Sequence, residues 1–190
     1  MKKEKFWNFL AKNYDDEVGQ KTAKITKSYL TKSDIVLDYG CARGAYTAAL
    51  ADEVKEIHGI DISPKMIELA KLKSPEIDFR TATIFDVAGK YDVILAFNLL
   101  HLLEDTEKVV QKIDESLNPG GRFISVTACM KESLILRIAA VFIGMVGLLH
   151  LRKFKISELK KMISNRFEIV ETKTLGPHHI LIVGRKSQNG

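Results

Sequence analysis

Asp34-Ile35-Val36-Leu37-Asp38-Tyr39-Gly40-Cys41-Ala42-Arg43-Gly44 is the stretch whose reading decides the fold. Its first half is β-branched and apolar and ends in an acid, as a buried strand does. Its second half is a turn, with glycines two and six positions after Asp38. A helix-compatible run, Ala45 to Val54, comes immediately after. Strand, glycine-bearing turn and helix is the arrangement with which α/β proteins hold a nucleotide-like ligand at a strand's carboxyl end.

Downstream of this stretch, strands and helices alternate. Glu56 to Asp61 reads as a second strand, again ending in an acid, and Ser63-Pro64 supplies an N-cap and first-turn proline for a helix to about Lys73. Ile77 to Thr81 is a short third strand, and Tyr91 to Phe97 a fourth, apolar nearly throughout as a strand covered on both faces should be. A helix from about Asp105 to Leu117 is predicted to stop at Asn118-Pro119-Gly120-Gly121, and Arg122 to Ala128 is a fifth strand. Ser157 is predicted to cap a helix to about Asn165, and Phe167 to Thr174 with His179 to Arg185 closes the chain as a hairpin. Upstream, 1–31 reads as amphipathic helix, with Phe6, Phe9, Leu10 and Tyr14, then Val18, Thr22, Ile25 and Tyr29, at helical spacing. The expectation is one α/β domain over 1–190: a Rossmann-like, doubly wound sheet, mostly parallel, with an antiparallel C-terminal strand and helices on both faces. Within it, 1–31 forms a helical cap and about 130–165 a helical insert before the hairpin.

Composition narrows the function classes. Hydrophobic residues are 46% and charged residues 28% of the chain, an ordinary globular balance. The formal charge of +5, from 29 Lys+Arg against 24 Asp+Glu, is modest and reads as solvated helix faces. No basic groove with interleaved aromatics is present, so nucleic acid is not expected as a partner. Cys41 and Cys129 form no framework and no metal-spaced pair. The Phe6-to-Leu10 cluster is too short for a signal peptide, and the expected location is the cytoplasm.

The turn itself restricts the ligand. A dinucleotide fingerprint needs G-x-G-x-x-G, whereas the spacing here is Gly40-x-Ala42-x-Gly44; a P-loop would need a lysine and Ser/Thr that are missing. What remains is a ligand with a nucleoside but no phosphates.

These residues carry a resemblance. Val36 to Gly44 is similar to the first motif of class I S-adenosylmethionine-dependent methyltransferases, (D/E)-x-G-x-G-x-G. His58 to Ile67 resembles that family's second-strand motif, while Tyr91-Asp92-Val93-Ile94 with Leu99 to Leu103, and Leu117 to Phe123, resemble its fourth-strand and fifth-strand segments. The resemblance implies S-adenosylmethionine as cofactor. It places Asp38, Gly40, Cys41, Ala42 and Gly44 around the cofactor's methionine part, with the Gly40 carbonyl receiving its ammonium. It gives Asp61 the ribose hydroxyls, Ile62 the adenine, Ala82, Thr83 and Ile84 the adenine's other side, and Phe97 and Asn98 the space beneath the sulfonium. Two departures stand out. Ala42 replaces a glycine and is expected to avoid left-handed dihedrals. Ala82 stands where many relatives carry an acid for the adenine amino group, leaving Thr83, a backbone carbonyl or Asp86 to serve.

Each residue also has a plainer reading. Asp38 and Asp61 could be helix caps; Cys41 reads as a small packed residue; Asp92 reads as structural. Tyr14 with Asp15-Asp16 resembles a segment that covers the cofactor in some relatives, or is simply packed. His101, just beyond the fourth strand, is a candidate general base or a buried histidine with one satisfied ring nitrogen. His178 and His179 lack companions at zinc spacing, and no metal is expected.

Ile138 to Leu149 has twelve uninterrupted apolar or glycine residues, short of the ~20 that span a bilayer. With Arg152-Lys153-Phe154-Lys155 after it, this is a lid over the substrate, a buried helix, or a peripheral membrane contact through 134–155. A lid this apolar points to a small hydrophobic or aromatic acceptor, methylated by S-adenosylmethionine. The competing expectation is a non-catalytic module of the same fold that binds the cofactor or S-adenosylhomocysteine.

Overall fold

A computed structural model describes residues 17–129, 154–176 and 178–188. Among them, seven strands form one sheet in the order β3-β2-β1-β4-β5-β7-β6. The strands are β1 (Ile35–Tyr39), β2 (Glu56–Asp61), β3 (Asp78–Thr81), β4 (Tyr91–Phe97), β5 (Leu117–Ala128), β6 (Glu168–Thr174) and β7 (His179–Arg185). β1 to β5 pair in parallel, and β7 runs antiparallel between β5 and β6. The fold is the expected Rossmann-like sheet. Order reverses between β1 and β4, so the crevice of the doubly wound fold opens at the carboxyl ends of those two strands.

The period-two alternation of the central strands feeds two cores. Val36, Val93, Leu95 and Phe97 face one layer with Leu50, Ile67 and Ala70. Leu37, Ile94 and Ala96 face the other, with Val109, Val110, Ile113, Leu159 and Ile163. Helices α1 (Glu17–Lys27), α2 (Ala45–Ala51) and α3 (Pro64–Lys73) therefore cover one face, and α4 (Thr106–Ser116) and α5 (Ile156–Ser164) the other. Each aliphatic side chain fully buried in these layers contributes roughly 1.5–3 kcal/mol of transfer free energy.

Two boundaries differ from the sequence reading. Asn118-Pro119-Gly120-Gly121 does not separate helix from strand by a loop: β5 begins at Leu117, opposite Tyr91, and pairing resumes at Arg122 opposite Val93. Four residues thus bulge against Asp92 alone. The Asn118 amide donates to Asp92 Oδ1 at 2.8 Å and the Ile35 N–H to Asp92 Oδ2 at 2.9 Å, so this carboxylate ties β1, β4 and the bulge together. The α5 cap is Lys155 rather than Ser157, because the Glu158 carboxylate accepts the Lys155 N–H at 3.2 Å and starts the helix earlier. At the opposite end of the sheet from the crevice, buried Asp34 accepts hydrogen bonds from Arg122 Nη2 at 2.5 Å and the Thr31 N–H at 2.7 Å.

Between β3 and β4 the chain makes one 3-10 turn, Ile84–Asp86, and no helix. The adjoining face of β2 and β3 holds a cleft of about 290 Å³ lined in part by His58, Asp78, Arg80 and Tyr91. His58 is held between Glu56 Oε1 at 3.0 Å and Asp78 Oδ2 at 3.2 Å, and Arg80 pairs with Asp78 at 2.6 Å.

Candidate active site

The glycine turn is fastened to β2. The N–H groups of Gly40 and Cys41 both donate to the Ile60 carbonyl, at 2.8 and 3.0 Å, and Gly44 N–H closes the turn on the Cys41 carbonyl at 2.9 Å. Gly40 and Gly44 have φ of 79° and 72°, the left-handed region that glycine enters without penalty. Gly44 is fixed by packing as well, since a Cβ there would lie 2.6 Å from Phe79 Cζ.

Ala42 overturns the dihedral expectation. Its φ is 48°, left-handed like its glycine neighbours. What holds it there is Asp61, whose Oδ2 accepts the Ala42 N–H at 3.1 Å while Oδ1 accepts the Ser63 N–H at 2.8 Å. The acid at the end of β2 and the turn after β1 are therefore one unit. Each oxygen of Asp61 keeps acceptor capacity beyond its backbone bond. Burial raises the Asp61 pKa, and the N–H groups of Ser63 and Ala42 oppose that rise.

Asp38 is enclosed, 2% exposed, and does not cap the helix backbone. Thr47 Oγ1 donates to its Oδ2 at 2.6 Å. Burial pushes the carboxyl up to about 6, with the Thr47 bond pulling the other way. The sequence reading missed Thr47. Its signal was available: Thr47 and Leu50 share the inward stripe of α2, and a hydroxyl on that stripe needs a partner. Cys41 is buried, and burial raises its thiol, so it is a packed residue rather than a nucleophile.

Around the nucleoside position the candidates divide. Ile62 is 77% exposed, an apolar side chain held in solvent at the end of β2. Ile84, expected to line the adenine, is instead wholly inside the core; the exposed side chain of that segment is Phe85, at 56%. The reason is the 3-10 turn, which rotates Ile84 inward. Ala82 gives its N–H to the Asp61 carbonyl at 3.1 Å. Thr83 donates both N–H and hydroxyl to Asp86 Oδ2, at 2.8 and 2.7 Å, so Asp86 is engaged in capping that turn.

At the end of β4, Phe97 is buried and packs edge-on against Tyr46, ring centroids 5.1 Å apart. Asn98 has φ of 53°, its N–H donates to the Val126 carbonyl at 2.7 Å, and its buried Oδ1 has no partner among the described residues. Leu99 then lies over Gly40, its methyls 3.0 Å from where a Cβ on that glycine would be. His101 is buried, as one of the two readings expected, and its Nδ1 is unpartnered among the described residues. Burial, and secondarily His179, lower it to about 4, so it is neutral at physiological pH and a weak base there. Among the described residues no group of three or more His, Cys, Asp or Glu is placed to hold a metal ion, and no helix is long and apolar enough to cross a membrane. Tyr14, Ile138 to Leu149 and nearly all of 134–155 lie outside the described residues.

Comparison with known proteins gives a consistent result. A family model described as a methyltransferase domain matches residues 30–174. The chain is 32% identical over 94 residues to a ubiquinone biosynthesis O-methyltransferase of Chromobacterium violaceum, a match covering 45% of this chain and 40% of that protein. The chain thus aligns with well under half the length of that relative. Among solved structures, magnesium protoporphyrin IX methyltransferase from Synechocystis, with bound S-adenosylhomocysteine, is 22% identical with a TM-score of 0.72, covering 90% of this chain and 84% of that one. The cyclase SpnF is 15% identical with a TM-score of 0.74, covering 89% and 81%. Since the matched region contains the glycine turn, the five parallel strands and the first strand of the closing hairpin, the chain belongs to the methyltransferase domain family and has the fold of the S-adenosylmethionine-dependent methyltransferases.

Proposed function

We propose that this chain binds S-adenosylmethionine and transfers its methyl group to a small acceptor with an apolar or aromatic body. The observation that carries this reading is the Asp61–Ala42 bond, which joins a two-oxygen acceptor to the glycine turn at the topological switch point. The residues present fit the cofactor. Asp61 has acceptor capacity for a diol, Ile62 and Phe85 offer apolar surface for a base, and enclosed Asp38 lies behind Gly40, where an ammonium would favour its charged form. When bound, the cofactor supplies the activated methyl, and the protein's part is orientation and exclusion of water. The similarity to an O-methyltransferase supports an oxygen nucleophile. His101, neutral and buried, is a weak base at physiological pH and is given no proton-abstracting role towards that oxygen.

Calorimetry with S-adenosylmethionine and S-adenosylhomocysteine tests the assignment. Wild type should bind both, and Asp61→Ala should bind at least tenfold more weakly, about 1.4 kcal/mol. No binding to wild type overturns the proposal. A second reading, a non-catalytic module of the same fold, is favoured by Ala42 in the glycine turn and by Ala82, which stands where the family resemblance places an acid. Cofactor binding without transfer to a broad set of phenols, acids and amines would favour it.

A further inference from the structure

Six buried side-chain polar atoms have no hydrogen-bond partner among the described residues: Thr26 Oγ1, Asn98 Oδ1, His101 Nδ1, Ser125 Oγ, Thr127 Oγ1 and His178 Nδ1. Folded proteins pair nearly all such atoms, and each exception calls for a ligand, a water or a functional reason. Only Thr26 is scattered. The other five belong to the segment just past the end of β4, to the later part of β5, and to the turn before β7. These segments adjoin: Phe97 is paired with Val126, Ala128 with His179, and Cys129 N–H donates to the His178 carbonyl at 2.7 Å.

Within this group Asn98 is the most constrained. Serine and threonine hydroxyls rotate, and an imidazole nitrogen either donates or accepts, but an amide oxygen only accepts. Its main chain is fixed, because the N–H is tied to Val126 and φ is 53°, so the side chain departs from a set position. The next residue, Leu99, rests on Gly40, which puts Asn98 beside the turn assigned to the cofactor's methionine end. His101, three positions on, adds a second unpartnered atom on a ring held neutral.

We infer that Asn98 is a positioning residue for the methyl acceptor: its Oδ1 receives a hydrogen bond from the acceptor's own O–H, so the site selects molecules that enter as donors. This rests on the methyltransferase reading and adds the polarity of the substrate's buried edge. An acceptor that is apolar throughout would leave Oδ1 unpaired and desolvated, whereas a hydroxylated aromatic supplies its partner.

The test uses the complex of the full chain with S-adenosylhomocysteine, titrated with phenol or with anisole, which lacks the donor, and read by saturation-transfer NMR. Phenol should bind wild type about three- to tenfold more tightly than anisole, the worth of one net hydrogen bond. Asn98→Gly keeps the left-handed backbone accessible and should bring the ratio near one, with S-adenosylhomocysteine held at saturation for each protein. Asn98→Asp, which keeps the oxygen, should retain the preference. Equal or absent binding of both probes to wild type overturns the inference. So does an unchanged ratio in Asn98→Gly, which means the preference does not come from Oδ1, or loss of the preference in Asn98→Asp. Failure of the cofactor reading looks different, since wild type then binds no S-adenosylhomocysteine before any phenol is added.

Discussion

Replacing Ala42 by glycine should make the protein more stable, and the sign of the change tests the description of the turn. Ala42 carries a Cβ at φ 48° and donates its N–H to Asp61. A left-handed residue with a Cβ costs about 1–2 kcal/mol. Glycine removes that strain but loses roughly 0.5–1 kcal/mol more conformational entropy on folding. The difference favours Ala42→Gly by about 0.5–1 kcal/mol, which for a chain of this size raises the melting temperature by roughly 1–4 °C. Had the position been right-handed or extended, only the entropy would count, and the melting temperature would fall by roughly 1–4 °C. Ala42→Val should destabilise by at least about 1 kcal/mol, because a β-branched residue is poorly accommodated at positive φ. Thermal and urea unfolding of the three proteins measure this. A lowered melting temperature for Ala42→Gly, with unfolding still cooperative, would refute the argument.

Three further outcomes rest on named contacts. Asp38 rises from 3.8 to about 6 on folding, so its contribution is present below pH 4 and is lost as pH climbs through 6; the unliganded protein should lose up to about 3 kcal/mol over that interval, and Asp38→Asn should flatten that part of the urea-unfolding profile, an unchanged slope counting against the assignment. A Cβ on Gly59 would lie 2.4 Å from Phe79 Cδ1; Gly59→Ala should cost about 1–3 kcal/mol by overpacking, and Phe79→Leu in the same chain should recover part of it in a double-mutant cycle. Arg122→Met leaves Asp34, 4% exposed, without its cation, and chemical denaturation should show a loss of about 3 kcal/mol, larger than for any exposed ion pair such as Lys65–Glu68.

The sheet was legible because its signals are local. β-branched runs ending in Asp38 and Asp61, Ser63-Pro64 at the start of α3, and the unbroken apolar β4 each declare an element within ten residues. What failed depends on partners far away in the chain. Asn118 to Gly121 has turn chemistry, yet the Asp92 carboxylate 26 residues earlier draws it into β5 as a bulge. Ala42 reads as a residue that should avoid positive φ, and only a bond to Asp61, 19 residues on, explains why it does not. The candidate site divides the same way. Asp38, Gly40 and Asp61 were visible as strand-end residues, whereas the burial of Ile84 and the unpartnered atoms of Asn98 and His101 arise from tertiary packing.

The two margins of the sheet have a consequence for how molecules of this protein meet. β3 at one margin has four residues and presents Asp78 and Arg80, themselves paired. β6 at the other carries Glu168, Glu171 and Lys173, and its pairing with β7 shifts register between Ile169 and Glu171. A short charged strand and an irregular charged strand are poor templates for a neighbour's backbone. Continuous sheets across two molecules are thereby discouraged at both ends, which protects the protein from ribbon-like aggregation and leaves helical or loop surfaces as the ground for any specific assembly.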